Sequence, residues 1–353
     1  MLGHAVVPST DSNPIEELLA DLAEVPVTVP GLSFQQPIPR HLVHRAAVAE
    51  VFLTDALRVG PDRFLVAAQW PRDHALYHPD PAGTSDPLLF AETIRQSLVY
   101  LAHRYYAVPL SHHFVGCDMD FEITDPEYLR VGAAPVPVVL QAQWSWEANR
   151  PPKRFGMRLQ VVLTVDGRPC GRGSLRVVAV DSKRYSLLRG RAGRAVRAHS
   201  FEEPTRRTVN RLPAGAVGRL RSKDSVLARG ERNGEWRLEL DLNHAILFDH
   251  PGDHVPLMAV LEGFRQLGHL LVHRAGGRPA VLTSLAADCL AFGELDQPIH
   301  LVVRDDGRAG GPLPDRAPHE DRARRFRIDA VQGSTVITTA TIGWSQRSRS
   351  TIH

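Results

Sequence analysis

The chain is short of the residues that would mark a secreted, zinc-bound or membrane-embedded protein. Its 353 residues include three cysteines, Cys117, Cys170 and Cys289, far apart and odd in number. They make neither a disulfide framework nor a zinc-ligand spacing, so a reducing cytoplasm suits them and no metal is expected. No apolar run reaches the about 18 residues that a membrane helix needs. Met1 to Pro30 lacks a basic start leading into an apolar stretch, which argues against a secretory signal. Lysine is nearly missing, standing only at Lys153, Lys183 and Lys223. Arginine supplies the remaining positive charge, a bias that speaks to origin rather than chemistry. Net charge is +3 and 43% of residues are hydrophobic, enough for about two domains of ordinary size.

What is present is a repeat. Glu92, Arg95 and Gln96 read E-x-x-R-Q, and Glu262, Arg265 and Gln266 read the same in the second half of the chain. Each motif follows a loop rich in His, Asp and Pro, Asp73 to Pro79 in one case and Asp249 to His254 in the other. Each sits in an apolar run of helical length, Pro87 to Tyr106 and Pro256 to Ala275, with proline near the first turn, where its missing N–H costs nothing. Gly276-Gly277 stops the second run.

The flanks repeat as well. Val48 to Leu57 and Phe64 to Trp70 read as strands before the first helix; Val226 to Gly230 and Trp236 to Leu242, turning at Asn233-Gly234, read as strands before the second. After the first helix come Phe114 to Ile123, Val136 to Trp146, Phe155 to Val165 and Gly171 to Val180. After the second come Val281 to Phe292, Ile299 to Arg304, Arg324 to Val331 and Ser334 to Trp344. One helix can cover an antiparallel sheet only if the sheet curls around it. That is the hotdog arrangement. The expected class is therefore α+β: a double hotdog, two antiparallel sheets each wrapped around one long helix and paired edge to edge as a pseudo-dimer in one chain. The expected divisions are a loosely structured leader at 1–40, an N-terminal hotdog at 41–182, a basic linker at 183–223, a C-terminal hotdog at 224–346 and a tail at 347–353. Pro312 to Asp321 reads as a loop.

Helices wrapped by a sheet should be apolar nearly all round, so charges on them need partners. Glu and Arg three apart share a helix face. They form either a structural ion pair in each half or a carboxylate poised beside a substrate pocket with an arginine to orient an anion.

Two resemblances bear on the choice. His250 to Glu262 resembles the His-loop and helix-Glu signature of hotdog β-hydroxyacyl-carrier-protein dehydratases. It departs in that the histidine directly precedes the proline and the spacing to Glu is shorter. Trp70, Arg72, His74 and Tyr77 read W-x-R-x-H-x-x-Y, and Asp86 to Gln96 reads D-x-x-x-x-x-E-T-x-R-Q. With His44-Arg45 and the second Glu262, Arg265 and Gln266, this resembles the A-factor biosynthesis hotdog family over roughly residues 40 to 345. The resemblance implies an acyltransferase that moves a β-ketoacyl group from acyl carrier protein to the hydroxyl of dihydroxyacetone phosphate, toward γ-butyrolactone-type signalling molecules. It implies no cofactor beyond the phosphopantetheine that carries the substrate. Such chemistry needs a base within about 3 Å of the attacking hydroxyl, donors for the oxyanion and a cation for the phosphate. The expected catalytic groups are Glu262 as base and Arg265 as phosphate contact, with Glu92 and Arg95 as the matching pair. Arg72, His74, Tyr77, Gln96, His250, His254 and Gln266 are expected around the substrate.

The linker is the most basic stretch: Lys183, Arg184, Arg189, Arg191, Arg194, Arg197, Arg206, Arg207, Arg211, Arg219, Arg221 and Lys223 face only Glu202 and Glu203. It reads as a solvated connector, as a docking surface for an acidic carrier protein, or, with no accompanying recognition motif, least of all as a nucleic-acid contact. The competing functions are a dehydratase or thioesterase on the same scaffold, and a regulator that binds a ligand or nucleic acid without catalysis. No membrane partner is expected.

Overall fold

The computed structural model describes residues 31–191, 211–230, 234–274, 280–305 and 323–346. Among them, twelve strands form one sheet. In the first half, β1 (Leu53–Gly60), β2 (Arg63–Trp70), β3 (His113–Ile123), β4 (Val136–Trp146), β5 (Arg154–Val165) and β6 (Arg168–Val180) surround helix α1 (Leu88–Tyr106). A second helix, α2 (Ser182–Arg191), leads out of this half. The other half has β7 (Leu227–Arg229), β8 (Trp236–Leu238), α3 (Leu257–Arg274), β9 (Ala280–Cys289), β10 (Ile299–Asp305), β11 (Ala323–Gln332) and β12 (Thr335–Gln346). The order β1-β2-β4-β5-β6-β3-β9-β12-β11-β10-β8-β7 is the same in both halves when read outward from the centre. The expected double hotdog is the observed one.

Local chemistry explains the strands. β5 and β6 turn at Asp166-Gly167, both at positive φ (49° and 75°), as a right-twisted two-residue hairpin requires. The two strands of each long hairpin bury alternating or continuous apolar side chains against the helix they wrap. α1 is buried on nearly every face, including Glu92, Thr93, Gln96 and Ser97. α3 lies closer still to its sheet. A Cβ on Gly263 would collide with Leu238, and one on Gly268 would come within 2.5 Å of Ile342 and 2.6 Å of the Trp344 indole nitrogen. The same positions of α1 are Thr93 and Leu98, and Thr93 uses the extra room to accept a hydrogen bond from Trp70 Nε1 at 2.9 Å.

The seam between the halves positions the site. β3 and β9 pair antiparallel from Asp118·Asp288 to Glu122·Ser284. Asp120 and Ala286 pair at the middle of this ladder. The pseudo-twofold axis therefore passes between them, with two further pairs on either side. Past Asp118·Asp288, where β3 has a register irregularity between Gly116 and Asp118, the β3–β9 ladder stops.

Two expected boundaries shift. The linker was expected to run to residue 223, but 211–224 fold as part of the second half. Short 3-10 turns at Ala214–Val217 and Ser222–Asp224 match Arg40–Val43 and Val48–Glu50 of the first half. Likewise the strand expected from Val48 begins only at Leu53, because Val48–Glu50 is such a turn. The expected leader falls in residues 1–30 outside the described residues; Ile38, however, is already buried, its N–H donating to Leu53 O at 3.0 Å. The tail and the loop at Pro312 to Asp321 also lie outside them.

Candidate active site

The E-x-x-R-Q motifs build two matching clusters. In the first, Glu92 Oε1 accepts from Arg45 Nε (3.0 Å), Arg95 Nη2 (2.8 Å) and Gln96 Nε2 (2.7 Å), and Oε2 accepts from Arg95 Nε (2.9 Å). Gln96 also grips the preceding turn, accepting from Phe52 N–H (3.0 Å) and donating to Glu50 O (2.7 Å). In the second, Glu262 Oε1 accepts from Arg219 Nε (2.7 Å), Arg265 Nη2 (3.1 Å) and Gln266 Nε2 (2.6 Å), while Oε2 accepts from Arg219 Nη2 and Arg265 Nε. Gln266 accepts from Val226 N–H (2.9 Å) and donates to Asp224 O (2.7 Å). Arg95 reaches Val43 O (3.1 Å) and Arg265 reaches Val217 O (2.8 Å).

This arrangement bears on the role of base expected for Glu262. Burial would raise its carboxyl pKa, but Arg219 and Arg265 outweigh burial and hold it at about 2. Glu92 is held at about 2 in the same way, burial being overcome by Arg45 and Arg95. A carboxylate so low, with its lone pairs occupied by guanidinium and amide donors, is a poor proton acceptor near neutrality. Each is the hub of an ion network tying a helix to the turn that precedes its sheet.

Tyr77 lies between the hubs. Burial first, then the charges of Glu92 and Glu262 against those of Arg45 and Arg219, push its phenol well above the ordinary value, so it stays a neutral hydroxyl. Its ring stacks on His74, centroids 5.1 Å apart. His74 braces its own loop. Its Nδ1 accepts from the N–H groups of Leu76 (3.2 Å) and Tyr77 (3.0 Å), and its Nε2 is 3.4 Å from Glu50. His244 does the same in the other half, accepting from Ile246 and Leu247 N–H with Nε2 3.1 Å from Asp224. Arg72 is exposed and bonded to Gly132 O, away from both clusters.

Past the Asp118·Asp288 end of the seam lies a cavity of about 360 Å³, walled by Val115 and Gly116 of β3, Leu257 and Val260 of α3, and the Cys289–Gly293 segment. His254 lines it. His254 Nδ1 is 2.8 Å from Asp253 Oδ1, and Tyr185 of α2 donates to the same oxygen at 2.6 Å. Burial alone would raise the Asp253 pKa, but Tyr185, His254 and Arg189 lower it below the ordinary value. An ionised Asp253 can only accept, so it favours the tautomer of His254 with the hydrogen on Nδ1, in which Nε2 is the acceptor. Arg189 anchors α2 over this end by pairing with Glu294 (2.8 Å) and Asp253 (3.2 Å). His250 is exposed beside Asp249, whose carboxylate crosses between the halves to accept from Ala46 (2.6 Å) and Ala47 (3.0 Å) N–H.

Sequence reading did not place Arg45, Arg219, Asp86, Asp253 or Tyr185 in the site. Two of them carried a signal: Pro39, Val43 and Arg45 read P-x-x-x-V-x-R, and Pro213, Val217 and Arg219 repeat it. The linker cations that can be described are not a solvated row. Arg189 and Arg219 are buried, and Arg221 pairs with Asp224 at 2.8 Å. Arg194, Arg197, Arg206 and Arg207 lie outside the described residues.

Two helix-wrapped sheets fused through β3 and β9, with a charged hub on each helix and a cavity at the seam, define a double-hotdog protein. The model of the A-factor biosynthesis hotdog domain matches residues 28–181 and again 200–346. The chain belongs to that family. It is 35% identical over 306 residues to the 2-oxo-3-(phosphooxy)propyl 3-oxoalkanoate synthase of Streptomyces virginiae, covering 87% of this chain and 97% of the relative. Synthases of the same description from Streptomyces griseus and Streptomyces coelicolor are 33% and 30% identical, over 68% and 82% of this chain and 77% and 90% of the relatives. Like them, the chain is an enzyme. No helix among the described residues is long and apolar enough to cross a membrane.

Proposed function

We propose that this enzyme transfers a 3-oxoacyl group from the thioester of an acyl carrier protein to the hydroxyl of dihydroxyacetone phosphate, giving a 2-oxo-3-(phosphooxy)propyl 3-oxoalkanoate. The observation that carries the reading is the apolar cavity at the seam with an Asp-His pair at its edge. The product is the ester named for the relatives. The acyl tail lies along Val115, Leu257 and Val260. His254 Nε2 takes the proton of the acceptor hydroxyl as its oxygen bonds to the thioester carbon. When the C–S bond breaks, the imidazolium returns that proton to the leaving thiolate. Asp253 keeps the ring in the tautomer that can do this and stabilises its charged form. The first N–H groups of α3, beside Leu257, lack intrahelical partners and suit the oxyanion. Glu92 and Glu262 hold the scaffold rather than the proton.

The test is direct. Purified protein is mixed with a 3-oxoacyl carrier protein, with and without dihydroxyacetone phosphate, and products are read by mass spectrometry. Formation of the phosphorylated ester, dependent on both substrates, is expected. Release of free acid or of an enoyl thioester instead would replace the reading with a thioesterase or a dehydratase.

A further inference from the structure

The two hubs share one plan but are closed differently, and the difference marks a ligand site. In the second half, Nη1 of Arg219 donates to Asp86 Oδ2 and to Leu76 O, both at 2.7 Å. The other Asp86 oxygen accepts from Leu88 N–H at 2.9 Å, capping α1. A carboxylate from the first half thus sits on the outer edge of the second half's guanidinium. The sequence offset that takes Glu92 to Glu262 takes Asp86 to Pro256, which has no acid to offer.

Arg45 is the counterpart of Arg219, and among the described residues none accepts a hydrogen bond from its Nη1. It meets Glu92 through Oε1 alone, where Arg219 grips both oxygens of Glu262. Its side chain is nonetheless only 7% exposed. A charge-assisted hydrogen bond made at such burial is stronger than one made in open solvent. Beside Glu92, the polar groups around it are Tyr77 and Asp249, with Arg95 sharing the Glu92 carboxylate. Asp249 contributes negative field, but its oxygens are committed to the Ala46 and Ala47 N–H groups. Arg95, 21% exposed, is the most open of the four hub arginines. The loop that covers Arg45 runs on to His254 and Val255 in the cavity wall.

We propose that the Nη1 edge of Arg45 binds a phosphate oxyanion, seated as the Asp86 carboxylate is seated on Arg219. Two substrates of the proposed reaction carry such a group, the acceptor and the phosphopantetheine arm. The site rests on the acyl-transfer reading only for which of them brings it.

Calorimetric titration with inorganic phosphate needs no turnover, so it is readable even if that reading fails. One saturable equivalent per chain is expected. Pro256→Asp places the second half's carboxylate over Arg45 and offers α3 the cap that Asp86 gives α1. The fold should therefore hold, with unchanged or higher melting temperature, while phosphate binds about 10–100-fold more weakly, the loss of one charge-assisted hydrogen bond. Asp86→Ser keeps an acceptor for Leu88 N–H but frees Arg219, and should add a second phosphate equivalent. This variant decides the matter if Pro256→Asp does not fold. Absence of saturable binding to the native protein, native affinity in folded Pro256→Asp, or no second equivalent in Asp86→Ser would each overturn the site. Displacement of phosphate by dihydroxyacetone phosphate but not by phosphopantetheine assigns the acceptor, and the reverse assigns the arm. Displacement by neither overturns the assignment to a substrate.

Discussion

Arg45 and Arg219 hold the same place in two copies of one scaffold, and each binds the glutamate of its own helix. From there the copies part. Arg219 is 1% exposed and answered by Asp86, Leu76 O and both oxygens of Glu262. Arg45 is answered by one oxygen of Glu92. The facing loops differ in the same sense. The loop over the first hub carries Asp253 and His254; at the equivalent positions, the loop over the second carries Gly83 and Thr84. The cavity opens on the side of His254. In the proposed reading the functional site is a composite of the first half's hub and the second half's loop, while its pseudo-twofold counterpart is closed by the Asp86–Arg219 ion pair. A pseudo-dimer in one chain can do this because its two sites are free to diverge. Identical subunits related by symmetry cannot.

The strongest way to break this comparison is to remove the base. His254→Ala should lower kcat by about 10²–10⁴-fold with the melting temperature unchanged, since the ring is part-exposed and packs at a cavity edge. Asp253→Asn should cost less, by allowing the wrong tautomer rather than removing the ring. Turnover near the native rate in folded His254→Ala would take the chemistry away from this loop.

Next in size is a contrast of stability with activity. Glu262→Gln leaves Arg219 and Arg265 buried against one missing charge, which should destabilise the protein by about 3–5 kcal/mol. Glu92→Gln should cost less, because Arg45 and Arg95 reach water more easily. Turnover per folded molecule should survive in Glu262→Gln. If denaturant titration shows that variant fully stable while kcat has collapsed, Glu262 acts in catalysis and the sealed half is not merely structural.

The elements were readable because their signals are local. Hairpins such as Asp166-Gly167, the apolar runs of α1 and α3, and each copy of E-x-x-R-Q are short, contiguous stretches of chain. The site was not, because its partners are distant in the chain. Arg219 stands among linker cations in sequence, yet its acids are Glu262, 43 positions later, and Asp86, 133 positions earlier. Tyr185 meets Asp253 across 68 positions. A local census of charge reads such an arginine as solvated. Beside the family-like His44-Arg45 and Asp86, the available cue was the P-x-x-x-V-x-R repeat, which places Arg45 and Arg219 in register without any knowledge of their contacts. The cavity had no cue at all, since it arises where β3 and β9 stop pairing.

The mildest test concerns acid. His269 sits in the second half, stacked on His273 at 3.9 Å and so close to Gly218 that a Cβ there would come within 2.7 Å of its ring. Burial first, then Arg265, His273 and Arg219, lower its pKa from 6.5 to about 3. The unfolded chain therefore binds this proton at a pH where the folded chain does not. Stability is fully present above about 6.5 and is lost as pH falls toward about 3. Each pH unit within that window costs at most about 1.4 kcal/mol for one such group. His269→Leu removes the titration and keeps an apolar side chain in place, so unfolding free energy measured at pH 7 and pH 5 should fall less for the variant, by up to about 2 kcal/mol. His44, lowered to about 3 chiefly by burial, is the matching liability of the first half. It stands beside Arg45 rather than inside a sealed hub, and its Nε2 is already 2.9 Å from His103 Nε2. A phosphate on Arg45 would offset part of its cost of protonation, so added phosphate should flatten the acid slope of the His269→Leu variant, in which His44 and its partner His103, also lowered by burial, remain. An acid slope indifferent to phosphate in that background would separate His44 from the anion site.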